Sequence, residues 1–437
     1  MKKIFFMLIL LSCTVISAQN APKELKFNFT EKGDYFIKMT FLNQTWLRYN
    51  NNNPGSTLFD VQKDKIFDIG LRRTRLQLFG QLSKHVFFYT QLGQNNFTFN
   101  SARKQGFFIH DALGEVRVYD KHLSVGAGLT GWSGLARFAS PGVGSILMLD
   151  APLYEQATND ITDQFLRKLS IYAKGKLGKL DYRFVVSKPM ADQLASASGG
   201  NFGPTASFSK LPSKLQYNGY INYQFLDEES NLLPYTTGTY LGKKRIFNLG
   251  AGFVHQKDAI WRSDNNGDTL LSALNLVSID AFLDLPLDKE KQNALTAYTA
   301  FQYSDYGKNY IRNLGPMNPM TGTTTTGASI NGAGNAWPTM GTGLTFFGQI
   351  GYKFKNDLFK NDWGTLQPYA GVQAFKYDYF NQAAATFDVG LNWLIDVHRS
   401  KLTLNYENRP VFNSLSDGTR RVTDRKGTVV LQYQIFL

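Results

Sequence analysis

The chain is poor in cysteine, in histidine and in long apolar runs, and each shortage excludes something. Its one cysteine, Cys13, falls inside residues 1–18, a segment that reads as an export leader: Lys2 and Lys3, an apolar run from Ile4 to Ile16, then Ala18 at the cut. Residues 19–437 then hold no thiol, which excludes disulfides and cysteine metal sites. Acylation of Cys13 after Leu-Leu-Ser is the competing reading, and the apolar run continuing through Val15 and Ile16 favours simple cleavage. After the leader no stretch approaches the roughly 20 continuous apolar residues of a membrane helix. The five histidines, His85, His110, His122, His255 and His398, form no HExxH and no close pair. There is no GxSxG elbow and no phosphate-cradling loop. His110 beside Asp111 is a lone strand histidine, which is structural unless context says otherwise. No catalysis, cofactor or metal is expected. Asp264-Asn-Asn-Gly-Asp268 alternates oxygen ligands but lacks the glutamate that closes a calcium loop, and reads as a turn.

Aromatics and positive charge are abundant. Phe, Trp and Tyr make up 14% of the chain, and 47 Lys+Arg against 34 Asp+Glu give a net charge of +13, or +11 once Lys2 and Lys3 leave. Many rings with an overall polar composition suit a membrane barrel, in which alternate residues meet lipid and aromatics gather at the interfaces. An exported basic chain makes nucleic acid an improbable partner, and cations spread along strands point to a basic lumen.

Period-2 segments bounded by turn residues run from end to end, with no long amphipathic helix. The final residues, RKGTVVLQYQIFL, put Val429, Leu431, Tyr433, Ile435 and Leu437 on one face and Thr428, Gln432 and Gln434 on the other. A closed barrel has a use for a chain that stops in mid-strand, since its last strand pairs with its first. Alternation is cleanest at 387–397 and 344–354. The predicted strands are 34–49, 65–80, 84–95, 106–119, 121–130, 166–177, 179–189, 213–226, 244–257, 272–284, 293–306, 341–355, 364–378, 385–397, 401–411 and 425–437. They make an all-β, transmembrane antiparallel barrel of about 16 strands over residues 19–437. Tight connections (Ser83-Lys84, Tyr119–Lys121, Gly178-Lys179, Arg399-Ser400) alternate with long ones (50–64, 96–105, 131–165, 190–212, 307–340, 412–424), as periplasmic turns alternate with external loops. The connections 227–243 and 356–363 break that alternation. Gly-Thr-rich 314–343 is expected to be a mobile external loop. Loop 131–165 is too apolar for bulk water, with Leu135, Phe138, Ile146, Leu147, Met148, Leu149 and Leu153. It folds inward as a constriction, or caps neighbouring loops or a neighbouring subunit.

The run Ile69-Gly-Leu-Arg-Arg-Thr-Arg-Leu-Gln-Leu-Phe-Gly-Gln-Leu-Ser-Lys-His85, the aromatic strand after it and Asp111-Ala-Leu-Gly-Glu-Val-Arg-Val-Tyr119 are similar to the second-strand region of phosphate-selective porins of the O/P type. Leu233-Pro-Tyr-Thr-Thr-Gly-Thr-Tyr-Leu-Gly-Lys-Lys-Arg245 resembles Bacteroidetes members of that group. The likeness covers the mature chain in layout and about 69–185 and 233–257 in motif. It implies a sixteen-stranded homotrimer in the outer-membrane lipid, passing small hydrophilic solutes by diffusion. Among the family's phosphate-binding arginines it extends to the 72–75 cluster.

Strand parity supplies the pore-lining candidates. Arg73 and Arg75 share a face with Gln77, opposite Leu76 and Leu78, while Arg72 falls on the wrong parity unless a bulge intervenes. Lys168, Lys174 and Lys176 align with Ser170 and Tyr172. Arg183 aligns with Asp181 and Ser187, and Arg137 lies in the loop that reaches toward them. Such charges concentrate the opposite ion, unless Asp111, Glu115, Asp150, Glu155, Asp160 and Asp163 pair with them and cancel them. The expected function is a porin for small hydrophilic solutes, anions such as phosphate among them. The alternative is a structural or partner-binding barrel serving a secretion or surface complex.

Overall fold

The computed structural model describes residues 24–191, 204–288, 290, 292–324 and 329–437; the expected leader at 1–18 lies outside them. Sixteen antiparallel strands follow in order: β1 Phe36–Asn51, β2 Lys65–Gln81, β3 Val86–Thr98, β4 Phe108–Tyr119, β5 Leu123–Thr130, β6 Lys168–Leu177, β7 Leu180–Lys188, β8 Gln216–Gln224, β9 Ile246–Ser263, β10 Thr269–Asp288, β11 Asn293–Asp305, β12 Gly343–Lys353, β13 Thr365–Tyr377, β14 Ala384–Asp396, β15 Ser400–Ser414 and β16 Arg420–Phe436. Each pairs with its neighbours in sequence, and β16 returns to β1, Phe436 opposite Leu42 and Thr428 opposite Asn50. The ring is closed, so no edge is left with unpaired amides. Leu437 and Phe41 exchange backbone hydrogen bonds at 2.8 and 3.2 Å, so the C-terminal residue belongs to the seam. Below it Leu25–Asn28 continues the pairing on β1, from Met39 to Phe36.

The outer face is the apolar half of each alternation. Val429, Leu431 and Tyr433 stand exposed, while Thr428, Gln432 and Gln434 are buried. On β14, Phe387, Val389 and Leu391 are exposed and Asn392 is buried. Such an exterior suits hydrocarbon, and a cation there at mid-depth costs about 2–4 kcal/mol. Leu391→Arg should therefore lower the folding stability of the barrel in bilayers by that order. A substitution of Asn392, which faces inward, should cost less. Denaturant titration in lipid vesicles compares the two, and equal losses would show that the parity of β14 is misread.

The strands begin and end within about three residues of the predicted segments, except where β9, β10 and β16 run longer. That corrects the expected long connection at 412–424: β15 and β16 continue past the apolar belt and close on 415–419. The exposed side chains there are polar (Ser414, Arg421, Thr423, Asp424) while Phe412 and Val422 pack inward, so the outward apolar alternation stops while the ladder persists. By the same extension β9 and β10 close on Asp264–Asp268, where Asp264 Oδ1 accepts the amides of Asn266 and Asp268 at 2.8 Å.

The connection 306–342 does not behave as the expected free loop. Arg48, clamped on Asp68 at 2.9 and 2.7 Å, donates to the Pro316 carbonyl at 2.9 Å and to that of Met317 at 2.5 Å. Trp337 is buried and stacks on Phe375. Low complexity here disguises a packed segment, since Gly and Thr carry few apolar side chains for a pattern to register.

Candidate functional site

Two connections enter the barrel from opposite rims. The longer, 131–167 between β5 and β6, makes a circuit of the inner wall. Leu135 meets the backbone of Gly219 on β8, and Phe138 packs edge-on against Tyr298 of β11 at 4.6 Å. Its carbonyls then accept inward side chains in turn: Val143 from Gln44 of β1 (3.2 Å), Gly144 from Gln434 of β16 (2.8 Å), Ile146 from Lys401 of β15 (3.1 Å) and Leu147 from Asn392 of β14 (2.8 Å). The wall is shaped to admit the loop. A Cβ at Gly351 would lie 2.5 Å from Leu147, and one at Gly371 would collide with Met148. Leu135, Phe138, Ile146, Leu147, Met148 and Leu149 are all buried. Their burial, of the order of 1.5–3 kcal/mol per side chain, holds the loop in place.

The second insert is 225–245, between β8 and β9 at the rim that carries the termini. Thr236–Thr237 pairs in parallel with Pro141–Gly142 of the long loop. Glu229 takes a bidentate pair from Arg137 at 2.7 and 2.6 Å, and also accepts Tyr240 at 2.7 Å. Burial would raise the Glu229 carboxyl, but the Arg137 guanidinium outweighs it and the group stays below its ordinary range.

Between these inserts and β2–β3 runs a cavity of about 440 Å³, whose lining reaches from Arg312 and Pro316 at one rim to His398 and Phe436 at the other. Arg72, Arg73, Arg75, Arg167 and Arg312 line it, against the single carboxylate of Asp160. Arg72 is there because of a bulge: Gln44 pairs with Arg73 and Thr45 with Leu71, which leaves Arg72 as an extra residue. Both adjacent arginines thus point inward. They close on Asp150 of the long loop, Arg72 by Nε at 3.0 Å and Nη2 at 2.5 Å, Arg73 by Nη2 at 2.5 Å. Burial would raise the Asp150 carboxyl, but the two guanidiniums hold it at about 2. Arg167 donates to Asp111 at 3.2 Å and lies over the Tyr235 ring at 5.1 Å. Arg75 bonds the carbonyls of Gln94 and Thr74 at 2.7 and 3.1 Å, and Arg312 bonds that of Asn159. Among the described residues neither forms a salt bridge. Even with Asp111 and Asp150 counted, five guanidiniums face three carboxylates.

The sequence-predicted cations divide. Arg73 and Arg75 line this cavity, and Lys174 and Lys176 line a separate recess of about 330 Å³ with Glu115 and Glu228. Lys174 meets Glu115 at 2.9 Å and Lys176 meets Glu228 at 3.1 Å. Lys168 pairs with Asp163 at 3.5 Å. Arg183 is buried over Tyr220 at 4.8 Å, and among the described residues its Nε and Nη2 have no hydrogen-bond partner. Arg137 is buried on Glu229 and over Phe282 at 3.6 Å. Arg167, Arg312 and the 225–245 insert escaped sequence reasoning. The one signal for the insert was its length, too great for a turn on the short-connection side.

No family model matches the chain, and no curated protein sequence matches it. Among solved structures it is similar to OprB of Pseudomonas putida, at TM-score 0.53 and 11% identity over 92% of this chain and 94% of that one. It is similar to OmpF of Salmonella typhi, at TM-score 0.51 and 9% identity over 93% and 99%. An anion-selective porin from Comamonas acidovorans aligns at TM-score 0.46 and 11% identity, over 92% and 99%. At such identities the likeness is one of fold.

Proposed function

We propose that this protein is an outer-membrane porin, passing small hydrophilic solutes by diffusion with a preference for anions, phosphate among them. The observation that carries the reading is a cavity inside a closed barrel, with lining residues from both rims and five guanidiniums against the carboxylates of Asp111, Asp150 and Asp160. An apolar exterior sets the barrel in lipid, and the low-identity fold neighbours are porins. Arg73 and Arg75 act directly on passing ions. Lys174 and Lys176, paired with Glu115 and Glu228, line a recess at the terminal rim, and Arg137, Lys168 and Arg183 hold the inserts that narrow the lumen. A homotrimer exported by the 1–18 leader completes the proposal. No energy source or cofactor enters it: ions cross a narrow, charged, water-filled section down their gradients.

Asp160 supplies the test. Its side chain is exposed on the cavity, yet crowding by the surrounding loop, with Asp163 nearby, outweighs the Phe165 amide, Arg312 and Arg72 and pushes its carboxyl up to about 6. Protonation removes a negative charge from the passage. The chloride-over-potassium permeability ratio should therefore rise as pH falls from about 8 to about 5, with its midpoint about pH 6. Asp160→Asn should hold the ratio at its acid value throughout. A ratio below one at every pH would overturn the anion-preferring reading.

A further inference from the structure

The passage has two unlike walls. On the β2–β3 side it shows guanidiniums and the amides of Gln77, Gln91 and Asn95. On the other, among Gln156, Asp160, Arg167 and Arg312, it shows Val143, Leu153, Phe165, Leu233 and Leu314. These five side chains are half-buried: one flank meets protein and the other faces the cavity. They arrive on three separate connections, 131–167, 225–245 and 306–342. Three segments that converge to turn apolar flanks into one ionic passage form a built surface, whereas a wall for small hydrated ions would be polar throughout. A fully hydrated inorganic anion gains nothing from it, since an apolar side chain cannot replace a water of the shell. At about 440 Å³ the space falls in the roughly 300–1,000 Å³ range of small-molecule sites, which combine an apolar lining with a few placed polar groups.

We infer that the solutes this passage favours are organic carboxylates with an apolar body, an inference that rests on the anion-preferring channel proposed above. Arg312 is the anchor. Among the described residues its guanidinium makes one hydrogen bond, to the Asn159 carbonyl, so other N–H donors are open to the planar fork that matches a carboxylate. Leu314 lies two residues on in the short strand Ile311–Leu314, and both line the cavity. A carboxylate on Arg312 sets its hydrocarbon against Leu314, with Phe165 and Leu233 on the same lining. Arg75 and the Arg72–Arg73 pair offer the next positive charge along the path.

Hexanoate and gluconate test this, because they share a six-carbon carboxylate and differ in hydroxyl groups. In planar bilayers with one anion on each side, hexanoate should be the more permeant by roughly tenfold, the size expected from covering a few methylenes. The near-isosteric variant Leu314→Asn, which keeps every charge of the lining, should bring the ratio toward one. A wild-type ratio near one overturns the inference. So does a large ratio that Leu314→Asn leaves unchanged, since sieving by size would then explain it. Chloride over potassium, read on the same channels, reports separately on the underlying reading: if potassium crosses as readily as chloride, that reading fails whichever carboxylate is faster.

Discussion

Replacing Val143–Leu149 by a short Gly-Ser linker should raise single-channel conductance severalfold. This segment lies across the lumen, hung from Gln44, Gln434, Lys401 and Asn392 by its carbonyls and seated on Gly351 by Leu147. Its removal joins the cavity along β2–β3 to the smaller space beside β13–β16, which is lined by Gln373, Asp388, Asn405 and Glu407. The sixteen-strand ladder closes without the segment, so the barrel should survive, and the freed wall groups would be hydrated by channel water. The loss of buried Leu147 and Met148 should lower thermal stability, because each such side chain contributes of the order of 1.5–3 kcal/mol. Conductance in 1 M KCl and a melting curve measure both effects. Unchanged conductance in a folded variant would mean that this loop does not bound the conducting section.

Charge reversal at Arg75 and Arg312 should have the largest effect on selectivity. Neither forms a salt bridge among the described residues, so Arg75→Glu with Arg312→Glu turns two cations without a carboxylate partner into anions, the first of them buried in the wall. The reversal potential in a KCl gradient should change sign toward potassium. The change should be larger at 0.1 M than at 1 M salt, since the Debye length falls from about 10 Å to about 3 Å. Lys168→Glu with Lys174→Glu makes the instructive comparison. Those lysines sit on Asp163 and Glu115, so reversal leaves two buried like-charged pairs and should act on stability. Equal selectivity shifts from the two double variants would show that cations with and without a carboxylate partner act alike on passing ions.

The strands were legible because lipid imposes a period of two on one face, and that pattern survives in a single sequence. Val429, Leu431 and Tyr433 needed no structure to be placed together. Strand extensions beyond the apolar belt were not legible, because outside it either face can be polar. Arg72 marks another limit. Parity assigned it to the wrong face, and only the register of β1 against β2 shows the bulge that turns it inward. The direction taken by loop 131–167 was equally open, since its apolar residues require burial without saying against what. The pairing of cations with carboxylates depends on contacts such as Arg73 with Asp150, 77 residues apart, which no local pattern encodes. Arg312 stood beside a Gly-Thr-rich stretch and gave no signal at all.

The central claim is an open passage that favours anions, and the zero-current potential of the purified wild-type protein tests it most directly. With about a tenfold KCl gradient across a planar bilayer, the channel should show steady ohmic steps and a potential of the sign set by chloride flux. A potassium-signed potential, or no steps from protein shown to be folded and inserted, would contradict the account.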